Sequence, residues 1–409
     1  MKVPRFTAVT LFPALLILAS AQTSQPIPVD TARKYFAEAQ SLCTTDHGRL
    51  WGISLCGPIM FVDPASRYMV ANQADAKGLL KADAGVFVGV LPDDQNIANT
   101  AVEWSGVLWT QMLWPLPADE RERETVIAHE LFHRIQGQLN LPKTIEGENS
   151  QLDTLNGRYT LQLEERALAR ALDAQSDEDR KRAAGDALLF REERYRLFPD
   201  AAGQEKSLEM NEGLAEYTGV RLGNPTSDEQ VKAALKDLSH HSEDVTFVRS
   251  FAYATGPAYG LLLDRYSPGW WAQLKTGNGF DAMLRNAIHA GVPSNLEQTA
   301  QQQAAQYDGP KLYAAEEARE TKRQQVIAAY RLKFLDGPVL ILQFLKMKVQ
   351  FDPRNLQPLG SYGTVYPNMR ISDEWGILEA KNGALMKPDW SAVTVAAPRD
   401  GCCAFRPFR

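Results

Sequence analysis

Several things are scarce in this chain of 409 residues, and each scarcity narrows its function. Basic residues are not in excess: 44 Lys and Arg stand against 50 Asp and Glu, a formal charge of −6. That leaves no cationic footprint for nucleic acid, which is excluded as an expected partner. Histidine is rare, with six in the whole chain, so any two at a meaningful spacing carry weight. Cysteine is rarer still, with four, and no CxxC pair occurs. A thiolate zinc site and a dithiol redox motif are therefore both ruled out as readings. After the N-terminus no apolar run approaches the roughly 20 residues a membrane-spanning helix requires. Internal repeats and low-complexity tracts are missing too.

The N-terminus is the exception to the lack of apolar runs. Lys2 and Arg5 precede an apolar stretch from Phe6 to Leu18, and Ala19-Ser20-Ala21 offers a small-residue cleavage site. Residues 1–21 read as a signal peptide, with no cysteine beside the cleavage point to carry a lipid. A secreted or periplasmic protein with no stable membrane insertion after cleavage is expected. Export fits one or two disulfides. Cys43 and Cys56 are the first pair to expect, while a bridge between the neighbours Cys402 and Cys403 would be strained.

A composition of 44% hydrophobic and 23% charged residues is that of a globular chain. An α+β fold in three stretches is expected. Residues 22–118 open with a short helix over 30–40 and then read as strands, at 59–62, 68–70, 85–90 and 102–114. Residues 119–335 are rich in Ala, Leu, Glu and Arg and read as helices, over 158–174, 177–197, 205–221, 254–266 and 311–335. Asp119, with Glu122 three residues on, marks a helix start. Residues 336–409 return to strand patterning as a small β-rich module.

The chemistry concentrates in Ala128-His129-Glu130-Leu131-Phe132-His133. On a helix, residues four apart project from one face, so His129 and His133 can reach one ion. Zinc accepts neutral imidazole nitrogen and in catalytic sites keeps one position for water. Glu130 sits where a general base for that water is needed. Ile127, Leu131 and Ile135 fall on an adjacent face that can anchor the helix.

Downstream stands Met210-Asn211-Glu212-Gly213-Leu214-Ala215-Glu216-Tyr217. Together the two stretches resemble the gluzincin zinc metallopeptidases, closest to the aminopeptidase N-like branch. The resemblance spans about 150 residues of motif and implies Glu212 as third ligand, with Glu216 and Asn211 orienting the ligands from behind. It also implies that Tyr253, in Phe251-Ala252-Tyr253-Ala254-Thr255-Gly256, stabilises the oxyanion; His240 and His241 are alternatives for that role. Gly213 would let the two helices approach closely. The strand 104–113 sits where gluzincins carry a substrate-pairing edge strand.

Two departures stand out. The 78 residues between His133 and Glu212 exceed the family's usual spacer, which an inserted helical pair over 150–200 accounts for. No Gly-x-Met-Glu-Asn stretch is present to hold a substrate amino terminus; Gly57-Pro58-Ile59-Met60-Phe61 lacks the Glu. Asp153 lies nearer the usual ligand spacing and stays an alternative third ligand, with Glu164 and Glu165 behind it, although the residues around Glu212 favour that position. The expected activity is hydrolysis of peptide bonds in a peptide or protein substrate by zinc-activated water. A catalytically silent binding protein on the same scaffold and a zinc hydrolase of non-peptide amides or esters are the competing expectations. The oligomeric state is not readable.

Overall fold

The computed structural model describes residues 27–143, 147–351 and 356–397. The signal-peptide reading and the pair Cys402 and Cys403 lie outside these residues. The fold is α+β: an N-terminal sheet against a helical middle, followed by a sheet-rich C-terminal part.

Helix α1 (Val29–Asp46) opens the described chain. Its C-terminal half is tied to the following segment by the Cys43–Cys56 disulfide, 13 residues apart in sequence. A loop of that size contributes about 3 kcal/mol by restricting the unfolded chain. Six strands follow: β1 (Ile59–Val62), β2 (Tyr68–Ala71), β3 (Lys81–Asp83), β4 (Val86–Val90), β5 (Thr100–Trp104) and β6 (Val107–Leu113). They form one sheet in the order β3-β4-β2-β1-β6-β5. Only β1 and β6 run parallel, with Phe61 opposite Met112. All four residues of β1 are buried, because each face of the sheet meets its own core. Ile59 and Phe61 join the helical core; Met60 and Val62 pack with Trp104 and Trp109 on the other side.

The single strand expected over 102–114 is instead a hairpin. Ser105 and Gly106 both take positive φ, 51° and 76°, which turns the chain in two residues and pairs Trp104 with Val107. The correction matters for function: β6 is interior, and the edge strand is β5.

The helical middle starts with α2 (Glu120–Gln136), capped by Asp119 accepting from Glu122 N at 3.0 Å. Then come α3 (Leu155–Asp173), α4 (Asp177–Leu197), α5 (Ala201–Leu208), α6 (Leu214–Gly223), α7 (Ser227–His241), α8 (Phe251–Tyr266), α9 (Phe280–Ile288), α10 (Leu296–Ala304) and α11 (Gly309–Arg331). Helices α7, α9 and α10 carry no expectation from the sequence. The helix expected over 205–221 begins earlier and holds a π-turn, Glu209–Gly213, between α5 and α6.

Two glycines of α6 bring it onto α2. A Cβ on Gly219 would lie 2.7 Å from Thr125 O, and one on Gly223 would lie 2.6 Å from Thr125 N. Gly213 acts elsewhere: its backbone meets α8, where a Cβ on Gly256 would fall 2.4 Å from Gly213 Cα. The close approach expected at Gly213 is therefore to α8 and not to the histidine helix.

The chain then returns to strands: β7 (Val339–Gln343), β8 (Lys348–Phe351), β9 (Gln357–Pro358), β10 (Thr364–Tyr366), β11 (Met369–Asp373), β12 (Gly376–Ala380), β13 (Ala384–Met386) and β14 (Ala392–Ala396). They make a five-stranded sheet, β7-β14-β13-β10-β9, and a three-stranded one, β12-β11-β8. Lys348 Nζ reaches Asp94 of the N-terminal part, and Thr364 Oγ1 faces Glu148 near the start of α3. No helix among the described residues is long and apolar enough to cross a membrane.

Candidate metal centre

The α2–α6 contact and the π-turn together set three side chains on one point. From α2, His129 and His133 bring their Nε2 atoms within 3.1 Å of each other. From the π-turn, Glu212 Oε2 lies 3.6 Å from His129 Nε2 and 3.4 Å from His133 Nε2. A tetrahedral zinc with bonds of about 2.0–2.1 Å holds its donors roughly 3.4 Å apart. The three separations bracket that value. The π-turn is the local device: Leu214 N bonds Glu209 O, five residues back, which widens the helix at the stretch that carries Glu212.

The hydrogen bonds around the histidines decide which nitrogen carries a proton. His129 Nδ1 lies 2.7 Å from Glu216 Oε2, so it is the donor and Nε2 is left with a lone pair. His133 Nδ1 lies 3.2 Å from Gln136 Oε1, while Gln136 Nε2 donates to Met210 O at 3.0 Å. That fixes the amide orientation and leaves His133 Nε2 bare as well. In these neutral tautomers three electron pairs, two from nitrogen and one from a carboxylate, converge, and a proton held on His129 Nε2 without metal would be displaced by an ion. A bound cation satisfies all three.

Charge points the same way. Burial opposes protonation of His129, yet the carboxylates of Glu212 and Glu216 outweigh it and hold the imidazole well above its ordinary value. Glu212 is opposed by burial but held far below the carboxylate range by the two histidines. Glu130, Glu212 and Glu216 supply three negative charges around the donors, and among the described residues Arg249 is the one Lys or Arg that pairs with any of them. A dication balances the remainder.

Glu130 flanks the donors, its Oε1 4.0 Å from His129 Nε2. It is 4% exposed, and its Oε2 has no hydrogen-bond partner among the described residues. Burial away from water raises its pKa. A polar atom left bare beside three converging donors is poised to meet a further ligand such as water. Tyr253, from α8, stacks on the His129 ring at 5.6 Å and donates to Glu212 Oε2 at 2.7 Å. Burial and that carboxylate push its phenol well above its usual value, so it stays a donor.

The remaining expectations sort by distance. Asn211 faces Glu212 Oε1 at 3.5 Å and makes no bond to a histidine. Asp153, the alternative third ligand, is removed to a different cluster: it accepts from Phe247 N at 2.9 Å, Thr246 and Arg158. Glu164 pairs with Arg191 and Arg194. Glu165 is buried apart from the histidines and is pushed up to about 8, first by burial and then by Glu164. His241 bonds Asp244 at 2.8 Å with its ring 5.9 Å from Tyr253, and His240 packs on His241.

Three residues of the site have no counterpart in the sequence reading. Gln136 could have been found, because it stands three residues after His133 and so over the same face. Arg249, which donates to Glu212 Oε1 at 3.0 Å, comes from the loop before α8 and carries no local signal. Asp237 on α7 is half-buried near Glu216, and both its desolvation and that charge raise its pKa.

Comparison with models of known protein families, with curated proteins and with solved structures returns no match.

Proposed function

We propose that this protein is an exported zinc metallopeptidase of gluzincin type. The observation that carries the reading is the convergence of His129 Nε2, His133 Nε2 and Glu212 Oε2, with the Nδ1 protons of both histidines directed away to Glu216 and Gln136. His129, His133 and Glu212 would hold the ion. When bound, zinc lowers the pKa of a coordinated water to near neutrality and polarises the scissile carbonyl.

The chain's own residues do the rest. Glu130, desolvated and with a bare Oε2, takes the proton from water and returns it to the leaving amine. Tyr253 keeps its phenolic proton and offers it where negative charge develops on the substrate oxygen. Glu216 fixes the tautomer and ring angle of His129 and raises its basicity, and Gln136 orients the His133 ring. At the β6 end of the sheet the edge strand is β5, and its outer backbone groups are the ones there for an extended peptide to pair with.

The test is metal content and proteolysis of the mature protein beside three variants. About one zinc per chain is expected in the parent, lost in Glu212→Ala and kept in Asp153→Asn. A peptide library should then be cut by the parent and not by Glu130→Gln. A parent that takes up no zinc after metal is added back would overturn the reading.

A further inference from the structure

Beside the three donors lies a cavity of about 850 Å3. Its wall is built from the end of α2 and the segment after it, from α5 and the π-turn, and from the loop ahead of α8. Two cationic side chains line it, Arg249 and Lys143, and the polar residues beside them are neutral, among them Gln136, Asn140, Gln204 and Asn211. No acidic residue is among the described lining. Glu148, exposed nearby, faces Thr364 Oγ1 at 3.4 Å.

Arg249 is the informative one. Its Nη2 donates to Glu212 Oε1 at 3.0 Å, and this is its one hydrogen bond among the described residues. The side chain is 39% exposed. A guanidinium carries five N–H donors in a planar fork, so most of them remain free towards the cavity. If Arg249 only neutralised Glu212, it would work against the site. A cation bonded to a metal ligand draws electron density away from the ion and weakens the ligation it is meant to support. The fork is better matched to a second anion, and a carboxylate accepts two parallel N–H bonds from it. The bond to Glu212 also fixes where that anion sits. It cannot be far from the reacting bond, since an extended peptide advances about 3.3 Å per residue.

We infer that the cleft selects peptides carrying a carboxylate within about two residues of the scissile bond, with Arg249 as its direct partner and Lys143 of the same lining adding attraction. This rests on the peptidase reading above. The carboxylate has two possible sources, a free C-terminus or an Asp or Glu side chain, and both present the same chemistry to the fork.

The experiment uses the zinc-loaded full mature chain and matched N-acetylated peptides. One pair differs as C-terminal acid against amide; a second pair, both amides, differs as Glu against Gln beside the cleaved bond. In at least one pair the carboxylate form is favoured by about 10- to 100-fold in kcat/KM, the range for a hydrogen-bonded charge, and the pair that shows it names the source. Arg249→Gln brings that ratio close to one, and Arg249→Lys keeps part of it. Zinc content is measured in each variant, because a ratio of two substrates on one enzyme is independent of how much metal is bound. A parent ratio near one in both pairs, or a ratio that survives in Arg249→Gln, overturns the inference. Should the parent cleave none of the peptides, calorimetric binding to Glu130→Gln separates the two ideas. A carboxylate preference that disappears on adding Arg249→Gln keeps this inference while the peptidase reading falls, and no preference ends both.

Discussion

Two buried polar clusters share the helical run 201–223, and they are built on opposite plans. One centres on Arg191 and Arg194, enclosed by Glu164, Glu205 and Glu209. Arg191 Nη1 and Nη2 donate to Glu209 at 2.9 and 2.6 Å, its Nε donates to Glu164 at 2.7 Å, and Arg194 pairs with Glu164 and Glu205 at 2.7 Å each. Thr255 and Tyr259 add hydroxyl donors at 2.7 Å. The other cluster begins three residues after Glu209, at Glu212. There the negative groups outnumber the fixed cations, three electron pairs face one another, and Glu130 keeps a bare oxygen. The first cluster sets two guanidiniums against three carboxylates, although Glu164 Oε2 and Arg194 Nη1 lack a hydrogen bond among the described residues. The second sets one guanidinium against three carboxylates, and that shortage of positive charge beside two imidazoles is what suits it to a cation.

The comparison breaks most sharply if the two clusters are cut separately. Glu130→Gln is isosteric and removes a charge from a buried site, so the fold and the zinc should survive. Peptide hydrolysis should fall by about 1,000-fold, the middle of the range for a lost general base. Steady-state kinetics with zinc content measured on the same sample checks this. A loss of only a few-fold would assign the proton transfer elsewhere.

Arg191→Met should do the reverse. It strands Glu209 without its guanidinium and leaves Glu164 with Arg194 alone, which costs about 3–5 kcal/mol for a broken buried ion pair. Denaturant unfolding is the measurement, with zinc binding lost because the π-turn is no longer held. Stability unchanged by this substitution would mean the network is ornamental.

A third cut lies between the clusters. Glu165 neighbours Glu164 in sequence, is 4% exposed, and has an Oε2 with no partner among the described residues. Its pKa rises from 4.5 to about 8 on folding. The folded state therefore binds the extra proton between those values, and stability falls as pH climbs from about 4.5 to 8. Glu165→Gln removes that dependence. The variant should match the parent near pH 4 and exceed it by about 2–4 kcal/mol at pH 8, taking 1.36 kcal/mol per unit with an allowance for relaxation. A constant difference across this window would show that the carboxyl is ionised in the fold.

Much of this was legible in the sequence. His129, Glu130 and His133 were, because one helical period brings residues four apart onto a common face. The strand Ile59–Val62 and the helix Asp177–Leu197 matched to the residue, since one is a short apolar run and the other is flanked by Ser176 and a basic last turn. What failed was local detail that depends on tertiary contact. The Ser105-Gly106 turn lies inside an apolar stretch without a break in hydropathy. The π-turn leaves no trace in periodicity, because its cause is backbone packing on α8. The segment 150–200, read as an insert, is instead the source of Glu164, Arg191 and Arg194, and its charged residues gave no hint that they pair with each other in the core. Arg249 arrives from a loop whose path is set by Asp153 through Phe247 N, a contact 94 residues apart in sequence.

The finest cut is at Glu216, where the site meets its support. Its Oε2 accepts from His129 Nδ1 at 2.7 Å, and its charge acts on the half-buried Asp237. Glu216→Gln keeps the volume and can still accept that hydrogen bond through its amide oxygen, but removes the charge that makes the imidazole a stronger donor to metal. Zinc affinity should weaken by about 10- to 100-fold, or 1.4–2.7 kcal/mol, the usual consequence of losing such a partner. Competition with a chromophoric chelator measures it. The same substitution relieves the repulsion on Asp237, so the metal-free protein should be no less stable than the parent, and this separates Glu216 from Arg191. A variant that loses stability without metal and keeps its zinc affinity would place Glu216 with the Arg191–Arg194 cluster and leave His129 oriented by packing alone.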